Sequence, residues 1–514
     1  MTPHPPSLHA SIHIGASSIS MLVVESDLDM GDEEQPGDFL EQSVPIARDL
    51  FRQGKIKRNT IERCVRILNG YLDSLRELGA TEETPIRIVA TNILSEASNY
   101  DVLINRIMIG CGLEIEMLDD GEMTRLIYLK TRRRLKDTPS MKNKTALVVH
   151  VGPGNTRALL FHKGRISDYS NYRLGAYRTG ESLDNEDESE TSITRNIAEH
   201  IRSQISQIQH DYAEAGVSEL ILIGYEIQQL SSHLSKPGKT KSSYTMLAEL
   251  SDHISSLNEE QRVKQYQIDY TTAQSIVPAL AINLAIAKAL SVQTLRLPDS
   301  DYERGLLQDL PVSSAMTEGF QNEVLRSADS LAKKYRVHLA HATQVSRLCQ
   351  LIFESTQELH DLSEHDALLL ACAGRLHECG NFISSRAHHK HSHYIIKHNE
   401  IFGLGEKDIL LVALMARYHR RSGPKTSHPD YRELSTTDRM RVSKLASILR
   451  IADALDRTHT SRVGEVTIAI EKSKLVLTLH GMEDATAERR AMRSKSNLFQ
   501  EIFGLSVSIK ESHS

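Results

Sequence analysis

At 514 residues the chain is too long for one hydrophobic core, so roughly three or four domains are expected. Its 40% hydrophobic and 25% charged residues are ordinary for soluble globular protein, and no apolar run approaches the length of a membrane span. A net charge of -6 speaks against a general nucleic-acid binder. The Pro- and His-rich residues 1–10 read as a disordered N-terminus without the apolar core of a secretory signal, so a cytoplasmic location without a membrane partner is expected. The five scattered cysteines, Cys64, Cys111, Cys349, Cys372 and Cys379, lack metal-site spacing and read as buried free thiols.

In chain order, residues 11–25 predict a hairpin: apolar alternation, a Gly-Ala-Ser-Ser turn, then an apolar run. The acidic residues 27–38, with Pro36 and Gly37, predict a loop. Residues 60–78 have helical periodicity, residues 86–90 predict a short buried strand, 99–109 a helix and 113–118 a strand leading into a helix through Tyr128. Residues 145–162 repeat the opening of strand, Gly-rich turn and strand. Two lobes are therefore expected across a cleft, over residues 11–140 and 141–312. The basic run Arg132, Arg133, Arg134, Lys136, Lys142 and Lys144 between them reads as a solvated loop or as a polyanion contact. Residues 184–190 predict an acidic loop and 235–243 a Lys/Gly/Pro loop, with a strand over 220–224 between them. Residues 313–460 are nearly unbroken helix. Strands at 466–470, 475–479 and 505–509 with a helix at 485–503 make 461–514 a small α+β unit.

The two turns invite a phosphate reading. Small residues let backbone N–H groups surround an anion, and hydroxyls add donors. The first turn offers Gly15, Ser17 and Ser18; the second, Gly152, Gly154, Asn155 and Thr156.

In order and content these segments resemble the Ppx/GppA family of exopolyphosphatases and pppGpp phosphohydrolases. Its members open with an Asp-x-Gly-Ser-Asn-Ser turn and repeat the idea as Asp-Ile-Gly-Gly-Gly-Ser-Thr-Glu. Ala90-Thr91-Asn92-Ile93-Leu94 is similar to the family's Ala-Thr-x-x-Leu-Arg stretch, and Gly121-Glu122-Met123-Thr124-Arg125-Leu126-Ile127 to its Glu-Glu-Ala-Arg-Leu-Ile segment. Leu174-Gly175-Ala176, Val277-Pro278-Ala279-Leu280-Ala281 and residues 301–307 continue the match, as do the histidine segments of the helical part. The resemblance implies an α/β fold of two actin/Hsp70-like (ribonuclease H-like) lobes with an inter-lobe cleft, then an all-α HD-like domain and the α+β unit. It further implies a homodimer that takes inorganic polyphosphate or a guanosine polyphosphate into the cleft, Mg2+ if catalysis is retained, Glu122 as the base for the attacking water, and Thr91 beside the phosphate.

Against that pattern His13 and His150 stand where the two turns carry Asp, Pro153 interrupts the second run of glycines, and Arg157 replaces its Glu. Ser95 stands for an Arg, and Met123 for one of the paired glutamates; Tyr225-Glu226-Ile227 lacks the small residues of the family's third turn. Magnesium wants hard oxygen ligands, and histidine suits softer metals. Three readings follow: metal-assisted hydrolysis of a terminal phosphate, a polyphosphate- or nucleotide-binding protein without turnover whose cleft Arg157 makes more positive, or phosphohydrolase chemistry moved to the HD-like domain. In that domain His341, His377, Glu378 and Asp453 follow the order of an HD metal site, suited to a transition metal. His388, His391, Arg417 and His419 offer a phosphate-contacting surface.

Overall fold

The structure is a computed structural model that describes residues 8–25, 37–81, 84–135, 143–181, 190–235, 240–297, 307 and 318–512. The chain divides into two compact units, Met1–Ala315 and Met316–Ser514.

The first unit contains one strand pattern twice. In the first lobe β1 (Leu8–Ile14), β2 (Ser18–Glu25) and β3 (Gly37–Ser43) form an antiparallel meander. β4 (Ile86–Thr91) runs parallel to β1, and β5 (Glu116–Leu118) parallel to β4, giving the order β3-β2-β1-β4-β5. In the second lobe β6 (Thr145–Val151), β7 (Thr156–His162) and β8 (Arg165–Tyr172) make the same meander. β9 (Glu219–Ile223) lies parallel to β6, β11 (Thr294–Arg296) parallel to β9, and β10 (Lys241–Ser243) closes the edge. Parallel pairs require a crossover, and helices supply it in both lobes. The central strands β1 and β6 are buried on both faces, which is why they read as apolar runs.

Each sheet has its own core. Arg58–Glu77 and Tyr100–Cys111 cover the first lobe through Ile61, Cys64, Leu68, Leu103 and Ile107. Glu190–Tyr212 and Tyr270–Ala289 cover the second through Ile197, Ile201, Ile276, Leu280 and Ile286. By length and composition Tyr270–Ala289 is apolar enough to cross a membrane, unlike the expectation from the chain's hydropathy. It carries Pro278, and 67% of its apolar window is buried.

Some expectations change. Gly37 and Asp38, expected in a loop, begin the edge strand β3, and residues 26–36 lie outside the described residues. Lys241–Ser243 is a strand, Glu190 starts a helix, and the helix from Asp120 runs to Leu135 through residues expected in a solvated loop. Residues 136–142 of that basic run, the acidic residues 184–189 and residues 301–306 lie outside the described residues.

In the second unit Leu339–Ser355, Glu364–Leu376, Glu406–Tyr418 and Thr436–Leu455 pack together, the last buried from Leu445 to Leu455. β12 (Val466–Glu471), β13 (Lys474–His480) and β14 (Ser506–Ser512) form a small sheet, and Thr486–Lys495 and Asn497–Phe503 bring it against Thr436–Leu455. All five cysteines are free, four of them buried, and burial pushes the thiols of Cys64, Cys372 and Cys379 up to about 12.

Candidate functional site

The two meanders bring their turns together. In both, a glycine N–H closes the turn on a carbonyl three residues on: Gly15 to Ser18 at 2.8 Å, and Gly152 to Asn155 at 2.9 Å. A histidine two residues earlier folds over each glycine. A Cβ on Gly15 would stand 3.3 Å from His13 Cε1, and one on Gly152 3.3 Å from His150 Cε1. The repeat is therefore reproduced in the side chains as well as the strands. His13, Gly15, Ala16, Ser17 and Ser18 of the first lobe face His150, Val151, Gly152, Pro153 and Arg157 of the second across a cavity of about 70 Å3, which Thr91, Met123, Tyr225 and Glu226 complete.

Of the phosphate residues named from the sequence, Gly15, Ser17, Ser18, Thr91, Gly152 and Arg157 line this cavity, whereas Gly154, Asn155 and Thr156 are placed elsewhere. Gly154 is a contact between lobes: a Cβ there would stand 2.1 Å from Ile93 Cδ1, so a larger residue would have to displace that side chain. Thr156 donates its hydroxyl to the Leu174 carbonyl at 2.6 Å, and Asn155 accepts from Gly152 within the turn. The Arg157 guanidinium makes an ion pair with Asp120, so its charge is partly compensated. Ser95 donates to the Asn92 carbonyl at 2.7 Å within its own 3-10 turn.

Glu122 does not line the cavity; its neighbour Met123 does. Both oxygens of its carboxylate accept from Arg125, Nε and Nη2 each at 2.7 Å, and that arginine side chain is only 3% exposed. Arg125 thus depends on Glu122 for its buried charge.

The acid that does line the cavity is Glu226, in a segment that sequence reading set aside because it lacks small residues. At Gly224, with φ 147°, a Cβ would stand 2.6 Å from the Val151 carbonyl oxygen, so glycine lets β9 turn there, and the short helix Tyr225–Gln229 then carries Glu226 inward. Glu226 is 2% exposed. Burial pushes its carboxyl up to about 7; its own N–H and Ser275 oppose the shift, and Asp269 adds to it. The readable signal was the glycine at the end of a buried strand, followed by an acid.

The lobes are clasped beside the cavity. Arg178 donates through Nε to the Gly154 carbonyl at 2.9 Å, through Nη2 to both oxygens of Glu96 at 2.8 Å, and lies 4.8 Å from the Phe51 ring centre. Tyr177 of the second lobe is buried in the core of the first.

The second unit gathers the histidines. His341, His377 and Asp453 come together with donor atoms within 4.8 Å of one another; Glu378 instead groups with His341 and His459. His388 and His419 are interior, not a surface: their Nε2 atoms are 3.2 Å apart, and Arg420 reaches His388 at 3.2 Å. His391 and Arg417 are half-buried. Burial drives the His377 and His419 imidazoles below their usual range. Burial would raise the Asp453 carboxyl, but Lys495, His377 and His419 outweigh it and hold the group far below the carboxylate range.

Compared with known proteins, residues 40–313 match the family described as Ppx/GppA phosphatase family, and residues 325–501 match Ppx/GppA phosphatase, domain III. Over 497 residues the chain is 22% identical to the guanosine-5'-triphosphate,3'-diphosphate pyrophosphatase of Photobacterium profundum, covering 92% of this chain and 91% of that protein. The protein of the same name from Vibrio vulnificus is 23% identical over 482 residues, covering 92% of each. The crystal structure of an exopolyphosphatase from Cytophaga hutchinsonii superposes with a TM-score of 0.51 at 15% identity, covering 60% of this chain and 98% of that chain, a likeness of fold.

Proposed function

The chain belongs to the Ppx/GppA phosphatase family, and from that premise we propose that it grips the terminal phosphoryl group of a phosphate chain, inorganic polyphosphate or a guanosine polyphosphate, in the cavity between its two turns. The supporting observation is the paired Gly15 and Gly152 turns on one cavity. Its size narrows the reading. About 70 Å3 is well below the roughly 300–1,000 Å3 of sites that enclose whole ligands, so a terminal group enters and the rest of the chain stays outside.

The donor set does not fit magnesium. Among the described lining residues the carboxylate is Glu226, buried and drawn toward its neutral form, and the positions facing it across the turns are histidines. Binding without magnesium-dependent turnover is the reading the residues favour. We further propose a homodimer, as the family resemblance implies, and a cytoplasmic location.

Equilibrium binding of polyphosphate and pppGpp, measured beside phosphate release with and without Mg2+ or Mn2+, tests this. Binding through the terminal group, with little dependence on chain length and negligible release, is expected, and His13→Asp with His150→Asp should introduce Mg2+ dependence. Mg2+-dependent release by the unaltered chain, abolished by Glu122→Gln, would sink the non-catalytic reading; no binding of any phosphate chain would sink both. A second reading, hydrolysis with Glu226 as proton acceptor, has in its favour a carboxyl in the cavity pushed up to about 7. Release that survives Glu122→Gln and is lost in Glu226→Gln would select it.

A further inference from the structure

We propose that the helical unit holds a divalent transition-metal ion on His341 Nε2, His377 Nε2 and one oxygen of Asp453, with Lys495 on the other oxygen as an internal cation that limits its affinity.

The imidazole protons are placed by their partners. His377 Nδ1 faces the Gly374 carbonyl at 2.8 Å, and a carbonyl only accepts, so the proton is on Nδ1. His341 Nδ1 faces a carboxylate oxygen of Asp456 at 2.8 Å, with the same result. Both Nε2 atoms therefore present lone pairs, and among the described residues neither has a hydrogen-bond partner. His341 and His377 are 0% exposed and Asp453 3%. Two unpartnered acceptors buried beside a carboxylate are costly unless a cation lies among them. A carboxylate or carbonyl behind a histidine, turning Nε2 outward, is the arrangement that orients a metal ligand. The set is further braced from behind, since Ser392 donates to the His377 carbonyl at 2.7 Å and accepts from the Gly380 N–H at 2.9 Å.

Lys495 makes the site unusual. It arrives on Thr486–Lys495, and its carbonyl accepts from Arg450 Nε at 3.1 Å, which fixes where its side chain starts. Its ammonium is paired with Asp453 Oδ2, while Oδ1 is the oxygen 3.8 Å from His341 Nε2. The carboxylate is thus divided between the lysine and the histidines. Two imidazole nitrogens and one carboxylate oxygen suit Zn2+, Co2+ or Mn2+ rather than Mg2+. The fixed positive charge disfavours a divalent ion nearby, so the site binds more weakly than three such ligands would alone.

Co2+ is the probe, because its visible absorption reports imidazole ligation. Titration of the full chain should give stoichiometric uptake with an imidazole-type band, lost in His377→Gln and Asp453→Asn and tightened about tenfold or more in Lys495→Met. Circular dichroism checks that each variant is folded, and the wild-type band needs no variant at all. No band at millimolar Co2+, a band that persists in folded His377→Gln, or unchanged affinity in Lys495→Met would each overturn the proposal.

Discussion

Glu226 lines the cavity, and Glu122, which the family motif singles out, is instead paired with Arg125 outside it. Glu226 is buried in the cavity, and its carboxyl is pushed from 4.5 up to about 7, first by burial and then by Asp269. The folded chain therefore holds this proton more tightly than the unfolded chain. The stabilisation is complete below about 4.5 and is lost as pH rises through 7, by on the order of 2–3 kcal/mol. Glu226→Gln should flatten that slope, seen as urea midpoints at pH 5 and pH 8 that converge relative to wild type. The same proton governs the anion, because above pH 7 an ionised Glu226 repels phosphate; polyphosphate affinity should fall across that range in wild type and much less in Glu226→Gln. Glu122, by contrast, is a counter-ion. Glu122→Gln leaves Arg125 buried with its charge uncompensated and should cost about 2–3 kcal/mol, while Glu122→Gln with Arg125→Met should recover much of the loss in denaturant unfolding. A motif names the glutamate but not the arginine one helical turn later that occupies it. That is why the glutamate was legible in the sequence and its role was not.

Among the elements, the turns and central strands were readable because burial on both faces writes a continuous apolar run and glycine marks where it reverses. The edges were not. β3 alternates half-buried and exposed residues and carries little apolar signal. In β8 the buried residues Ile166 and Tyr169 are three apart, because a register shift opposite Leu160 and Phe161 breaks the two-residue period. Gly154 shows the same limit within a motif: its sequence context suggests phosphate, but its surroundings are Ile93 and Phe51 of the other lobe. Gly154→Ala should overpack that contact and cost about 1–3 kcal/mol. Adding Ile93→Val removes the Cδ1 atom that a Cβ would meet at 2.1 Å and should restore most of the stability in a thermal melt; no recovery in the double variant would show that the Ile93 contact is not what requires glycine.

At the scale of the whole molecule the order of segments revealed the family, since two turn-bearing lobes followed by helix keep their sequence even where individual ligands have changed. The same order put His341, His377 and Asp453 in one candidate site, with Glu378; it could not reveal that Lys495 joins them and that Glu378 groups with His459 instead, because that depends on helix packing and on the final α+β segment. The phosphate cavity and the histidine cluster lie in different compact units, each with its own core. A ligand stabilises the unit that binds it, by about 2.7 kcal/mol at a hundred times its Kd. For Met316–Ser514 that corresponds to a rise of roughly 5–10 °C in its transition, and for the larger Met1–Ala315 to roughly 4 °C. Calorimetry of the full chain should therefore resolve two responses: polyphosphate raising the transition of Met1–Ala315, and Co2+ that of Met316–Ser514. Lys495→Met should enlarge the second shift and leave the first unchanged. A polyphosphate shift that moves with the Co2+-responsive transition, or that is lost in His377→Gln but kept in Glu226→Gln, would relocate phosphate binding to the histidine cluster.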